Sequence, residues 1–138
     1  MASQAQMTGM QGVFLVAAEL SARGLIVSTT SRNAMGADLL VTDADCQRTW
    51  SVQVKTNRKP TWGWLVGKKA LENVSASHIY VLVNLRPLDG LHEYFVVSSR
   101  EVARLTKVSK RERSTWYQVN KRDIPKAKDR WTVFRVRG

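Results

Sequence analysis

Gly36-Ala37-Asp38-Leu39-Leu40-Val41-Thr42 and Thr49-Trp50-Ser51-Val52-Gln53-Val54-Lys55 form the central pattern from which the architecture of this chain follows. The first reads as a strand over 37–42, apolar almost throughout, with one acid near its head. In the second, over 49–55, Trp50, Val52 and Val54 alternate with Ser51, Gln53 and Lys55, the period of two of a half-buried strand. Asp43-Ala44-Asp45-Cys46-Gln47 lies between them and has the chemistry of a hairpin loop. Side chains two apart on a strand share a face, so Gln53 and Lys55 project together. A buried charge is costly unless it is paired or ligated, so Asp38 at the head of a core strand requires a partner.

Upstream, residues 9–23 read as a helix. Thr8 and Gln11 have the spacing of a capping box, and Met10, Val13, Phe14, Ala17 and Leu20 recur at helical spacing as its buried face. Gly24 follows where a left-handed residue commonly ends a helix. A strand over 25–30 and a turn over 33–36 lead to the hairpin. Downstream, 57–69 is an irregular loop or hairpin around Trp62 and Trp64, and 68–73 a short helix. Residues 79–85 form a strand apolar enough to be covered on both faces. A turn over 86–90 precedes a strand over 93–97. Ser98 and Glu101 cap a helix running to about residue 108, with Val102 and Leu105 inward. Strands are expected over 115–119 and 131–136. This order describes one α/β domain over 1–138 with a mixed sheet.

The chain has 138 residues, 43% of them hydrophobic, with a net charge of +11. Residues 1–97 carry 9 basic and 7 acidic side chains, and residues 98–138 carry 13 and 4, so the excess is concentrated in a basic C-terminal segment. Such an excess holds a phosphate backbone through counterion release, or else is a solvated face. The lone Cys46 excludes an intramolecular disulfide and a multi-cysteine zinc site, and it favours a reducing, cytoplasmic setting. The longest apolar run, 13–18, is too short to span a bilayer, and 1–11 lacks the basic start of a secretory leader, so no membrane partner is expected.

Several candidate sites fall away. Gly63 to Lys69 has only three residues between its glycines and no hydroxyl after Lys68, so it is not a phosphate-binding loop. His78 and His92 have no second ligand at metal spacing and read as strand-end histidines. Cys46 has no histidine near it. Trp62 and Trp64 lie among Arg58, Lys59, Lys68 and Lys69, and would stack on bases if exposed or pack if buried. Arg32, Lys110, Arg111 and Arg113 complete the candidate nucleic-acid contacts.

Glu19, Asp38, Gln53 and Lys55 remain. Each has a plain reading: Glu19 pairs with Arg23 one turn on, Asp38 bridges to Lys55 across the hairpin, and Gln53 is an outward polar residue. Phosphodiester hydrolysis explains the set as a whole. Mg²⁺, with Mn²⁺ as a substitute, prefers oxygen ligands and keeps several waters. Asp38, the Gln53 side-chain oxygen and the Val54 carbonyl supply such ligands. Lys55 would offset charge on the scissile phosphate and orient the attacking water, and Glu19 would assist through a water or a second ion.

The order Glu19, then Gly36-Ala37-Asp38, then Gln53-Val54-Lys55 resembles the PD-(D/E)XK nuclease superfamily, which includes type II restriction enzymes and archaeal Holliday-junction resolvases. The resemblance covers roughly residues 11–55 by motif and extends to about residue 105 by element order. It implies a restriction-endonuclease-like αβββαβ core with helices flanking the mixed sheet, Mg²⁺, and hydrolysis of DNA, with RNA left open. Gly36-Ala37 stands where that family has proline before the aspartate. Gln53 stands where its second carboxylate lies, which removes one negative charge from the ligand set and weakens Mg²⁺ binding. The competing readings are a nucleic-acid-binding module that kept the fold and lost catalysis, and a structural protein with a basic interface. Cutting both strands of a duplex would call for a homodimer, one active site per strand.

Overall fold

The computed structural model describes residues 1–31 and 36–134. Helix α1 (Gln4–Ala22) starts earlier than the sequence suggests, because Ser3 and Gln6 form the capping box in place of Thr8 and Gln11. Its buried line is Thr8, Gly12, Val16 and Leu20. Of the expected inward face only Leu20 is fully buried, and Val13 and Ala17 pack at its margin. Met10 faces outward with Phe14, which is 57% exposed. Gly12 explains the rotation: a Cβ there would collide with Thr56 Oγ1, so the bare glycine is the point of closest approach to the sheet.

The chain continues through β1 (Ile26–Thr29), β2 (Leu39–Thr42), β3 (Thr49–Asn57), β4 (Gly63–Leu65), β5 (His78–Asn84) and β6 (Glu93–Ser98). A five-stranded sheet has the order β1-β2-β3-β5-β6, with β3 and β5 parallel and the other neighbours antiparallel. A parallel pair needs a crossover, and here it is β4 followed by a 3-10 turn (Lys68–Leu71) where a short helix was expected. All seven residues of β5 are buried, as its unbroken apolar run requires.

Helix α2 (Ser99–Leu105) begins on the expected Ser98 cap, whose Oγ accepts the Glu101 N–H at 3.1 Å. It stops short of residue 108, and β7 (Lys107–Lys110) pairs with β8 (Thr115–Asn120), which pairs with β4 in a second, three-stranded sheet. The strand expected from residue 131 is a 3-10 turn (Trp131–Phe134), and residues 135 and 136 lie outside the described residues. The reason is geometric. Trp131 and Phe134 both enter the core, against Tyr94 and Trp50. Residues three apart share a side in a 3-10 turn but face opposite ways in a strand.

The large sheet separates two apolar cores. Val16, Leu20, Val52, Val54, Val81 and Trp131 lie on the α1 side. Trp64, Tyr80, Leu82, Phe95, Val102 and Val119 lie on the side of α2 and the small sheet. Much of the basic C-terminal segment folds back on the body: Lys121 and Lys128 reach Glu93 at 3.0 and 3.7 Å, and Arg130 reaches Glu101 at 2.9 Å. Among the described residues, no helix is long and apolar enough to cross a membrane.

Candidate active site

Strand β2 begins at Leu39, which pairs with Val52, and Asp38 immediately precedes it. The Asp38 N–H donates to the Val52 carbonyl at 2.8 Å, and there the ladder ends. The next β3 amide on that edge belongs to Val54. Asp38 Oδ2 accepts it at 2.8 Å and accepts Gln53 Nε2 at 3.0 Å. A strand residue points its N–H and C=O to the same edge, so the Val54 carbonyl opens on the same gap. Thr30, just past β1, secures this corner: its N–H donates to the Asp38 carbonyl at 3.0 Å and its Oγ1 to the Ala37 carbonyl at 2.7 Å. No motif singles Thr30 out in the sequence.

Val52 and Val54 face the α1 core, so Gln53 and Lys55 project to the opposite side of the sheet. Lys55 is half-buried and lies two residues beyond Gln53 on the same face of β3. The expected bridge between them is not formed: no ion pair among the described residues includes Asp38 or Lys55. Tyr80 lies beside Gln53 on β5, and its hydroxyl is pushed above its usual pKa by burial. A cleft at the start of β2, lined by Gln6, Met10, Val13, Phe14, Thr30 and Asp38, leads to this corner.

One carboxylate, one amide oxygen and one peptide carbonyl fit a hard divalent cation that keeps most of its waters. They do not suit a softer metal, and no group of three His, Cys, Asp or Glu side chains among the described residues could hold one. Gln53 turns its nitrogen to Asp38 here, and a half-turn of the same amide presents its oxygen.

No protein-family model matches the chain, and no curated protein matches it in sequence. Solved structures do match it. The bacterial homing endonuclease I-Ssp6803I superposes with a TM-score of 0.62 at 16% identity, over 96% of this chain and 91% of that one. Archaeoglobus fulgidus Hjc, a Holliday junction resolvase from an archaeal hyperthermophile, gives 0.54 at 10% identity, over 85% of this chain and 92% of that one. A nuclease from a fusselovirus gives 0.51 at 10% identity, over 89% of this chain and 87% of that one. This chain has the restriction-endonuclease-like fold.

On the restriction-endonuclease-like sheet, Asp38 meets the Gln53 side chain and the Val54 amide directly, and Lys55 shares the face of Gln53. Glu19 does not join them. Its carboxylate pairs with Arg23 at 2.6 Å, and Arg23 stacks on Trp131 at 4.6 Å from the ring centroid. Glu19 is nine residues beyond the cleft residue Met10, roughly 13 Å further along α1. The plain reading of Glu19 is the one the geometry supports.

The two tryptophans part company. Trp62 is 85% exposed, whereas Trp64 is 1% exposed, donates its indole N–H to the Val83 carbonyl at 2.9 Å and packs on Phe95. Trp64 is therefore core and is withdrawn from the base-stacking candidates. Arg58, Lys59, Lys68 and Lys69 are exposed on the crossover, and Lys110, Arg111 and Arg113 on the β7–β8 hairpin. Arg32 lies outside the described residues. His78 bonds Ser51 at 2.7 Å, and His92 Nδ1 accepts the Arg86 N–H at 2.9 Å, both at strand ends.

Proposed function

We propose that this protein is a metal-dependent endonuclease that hydrolyses DNA phosphodiester bonds at the corner formed by Asp38, Gln53, Val54 and Lys55. The single observation that supports it is the meeting of Asp38 Oδ2 with the Gln53 side chain and the Val54 amide at 3.0 and 2.8 Å, with Lys55 on the face of Gln53. The solved neighbours include nucleases and a Holliday junction resolvase, which agrees with this chemistry.

Asp38, Gln53 and the Val54 carbonyl would hold Mg²⁺, with Mn²⁺ able to replace it. When bound, the cation supplies Lewis acidity toward a phosphoryl oxygen. Asp38 brings the only carboxylate of the set, and its position is locked from both sides by Thr30 and Val52. Lys55 sets a fixed positive charge where negative charge builds on the phosphate as the bond breaks. Exposed Trp62 offers a face for an unstacked base, and the lysines and arginines of the crossover hold the backbone. Two copies of the chain would serve the two strands of a duplex.

The decisive experiment incubates supercoiled plasmid and junction DNA with Mg²⁺ or Mn²⁺, comparing the natural chain with Lys55→Ala. Cleavage that needs metal and falls ~100-fold in the variant supports the reading. Equal cleavage by both, or none on any substrate, overturns it. A second reading, a DNA-binding module on the same fold without catalysis, draws on one observation: Gln53 Nε2 already satisfies Asp38 without a cation. It requires DNA binding that is indifferent to metal and survives Asp38→Ala.

A further inference from the structure

From Lys107 to Trp116, ten consecutive residues are exposed, yet they form ordered paired strands. β7 and β8 run in register from Lys107 opposite Gln118 to Lys110 opposite Thr115, and the Arg111 N–H closes the turn on the Ser114 carbonyl at 2.7 Å. β4 supports β8 only from Gln118 to Asn120. Tyr117 still packs on the core, and its carbonyl accepts the Val66 N–H at 2.9 Å; beyond it the hairpin projects as a two-stranded ribbon of exposed residues. Val108 is 50% exposed and Trp116 39%. A two-stranded ribbon that buries so little is marginal by itself in water, which points to a use outside the fold.

Charge and dimensions identify the occupant. The ribbon carries Lys107, Lys110, Arg111 and Arg113 against Glu112, an excess of 4 − 1 = 3 positive charges. Strands ~4.8 Å apart fit a DNA major groove about 12 Å wide, whereas an undistorted minor groove of about 6 Å is too narrow for them. Arg111 is held with its guanidinium 4.3 Å from the Trp116 ring centroid, which pre-orients its fork of donors. The ribbon also springs from the catalytic side of the large sheet: Val119 of β8 shares a core with Tyr80 and Leu82, the β5 neighbours of Gln53 and Lys55.

We propose that the β7–β8 ribbon enters the major groove of duplex DNA and reads base pairs there. The tip arginines contact base edges, and Lys107 and Lys110 contact the flanking phosphates. This rests on the reading of DNA as substrate and adds that duplex sequence is recognised.

The test selects binders from a randomised duplex pool in EDTA, with the full chain and with R111K/R113K, which keeps the charge and loses the fork. Thermal melting first verifies that the variant is folded. The natural chain enriches a common sequence. The variant loses about 10- to 100-fold of preference at one or two base pairs, with an unchanged salt dependence on unrelated duplexes. No enriched sequence, the same sequence from both proteins, or an equal loss on every duplex overturns the proposal. Plasmid cleavage with Mn²⁺ is scored in parallel. Cleavage without any ribbon effect sinks the ribbon alone, whereas neither binding nor cleavage sinks the DNA reading together with it.

Discussion

Asp38 and Val54 are joined by a hydrogen bond in which a carboxylate does the work of a missing strand residue. Oδ2 accepts the Val54 N–H at 2.8 Å one step past the end of β2. Without it, an amide of a buried residue would have no strand partner on that edge. The same contact points the carboxyl group at the gap where the Val54 carbonyl and the Gln53 amide converge. Structural and chemical duties therefore fall on one side chain, and substitutions can separate them.

Asp38→Asn keeps an acceptor for Val54 and loses the charge, and Asp38→Ala loses both. Both variants are expected to lose ~100-fold or more of metal-dependent cleavage, as removal of one transition-state electrostatic partner commonly does. Only the alanine variant should also lose stability, by about 1–2 kcal/mol for the unsatisfied amide. Single-turnover cleavage and urea unfolding of the two proteins check this.

Gln53→Glu restores a second carboxylate beside Asp38. In metal-free buffer the two acids repel each other, and the melting temperature should fall. With Mn²⁺ the order should reverse, because a site that binds tenfold more tightly stabilises the folded state by a further ~1.4 kcal/mol at saturation. Melting curves with and without Mn²⁺ decide it. An identical response to metal in the two proteins would show that residue 53 does not face the cation.

Gly12→Ala drives a methyl group into half-buried Thr56, whose Oγ1 is itself buried and unbonded. A loss of about 1–3 kcal/mol is expected from overpacking. Thr56→Ala, which removes the colliding hydroxyl, should recover part of that loss in the double variant. A double-mutant cycle by chemical denaturation measures the coupling.

His78 is held below its usual pKa by burial, while its contact with Ser51 works the other way. A base whose folded pKa is depressed contributes stability that is complete above its unfolded value and is lost as pH falls through the folded one. Unfolding midpoints should therefore decline as the pH drops below about 6.5, the unperturbed histidine value. His78→Gln, which cannot titrate, should show a shallower decline over the same interval.

Most strands were legible in the residues. Period two over 49–55 was enough to put Gln53 and Lys55 on one face, because alternation is a local property of an extended chain. The cap at Ser98 and the burial of 79–85 were equally local. The face of α1 was not legible. Met10 and Phe14 look like core by composition, and only the presence of Thr56 beneath Gly12 turns them outward.

Glu19 shows the same division. Its spacing fits either a pair with Arg23 or a place in the site, and the length of α1 together with the stack of Arg23 on Trp131 selects the pair. Trp62 and Trp64 differ by two residues and by the whole distance from solvent to core, since β4 needs Trp64 against Phe95 and leaves Trp62 before its first residue. Alternation, caps and turn chemistry act between near neighbours, so the chain alone dictated most strands of the large sheet, the β2–β3 hairpin and the shared face of Gln53 and Lys55. Which side of a helix meets the sheet, which tryptophan is covered and which acid stands apart depend on contacts between residues distant in sequence. Those were decided only when the layers packed.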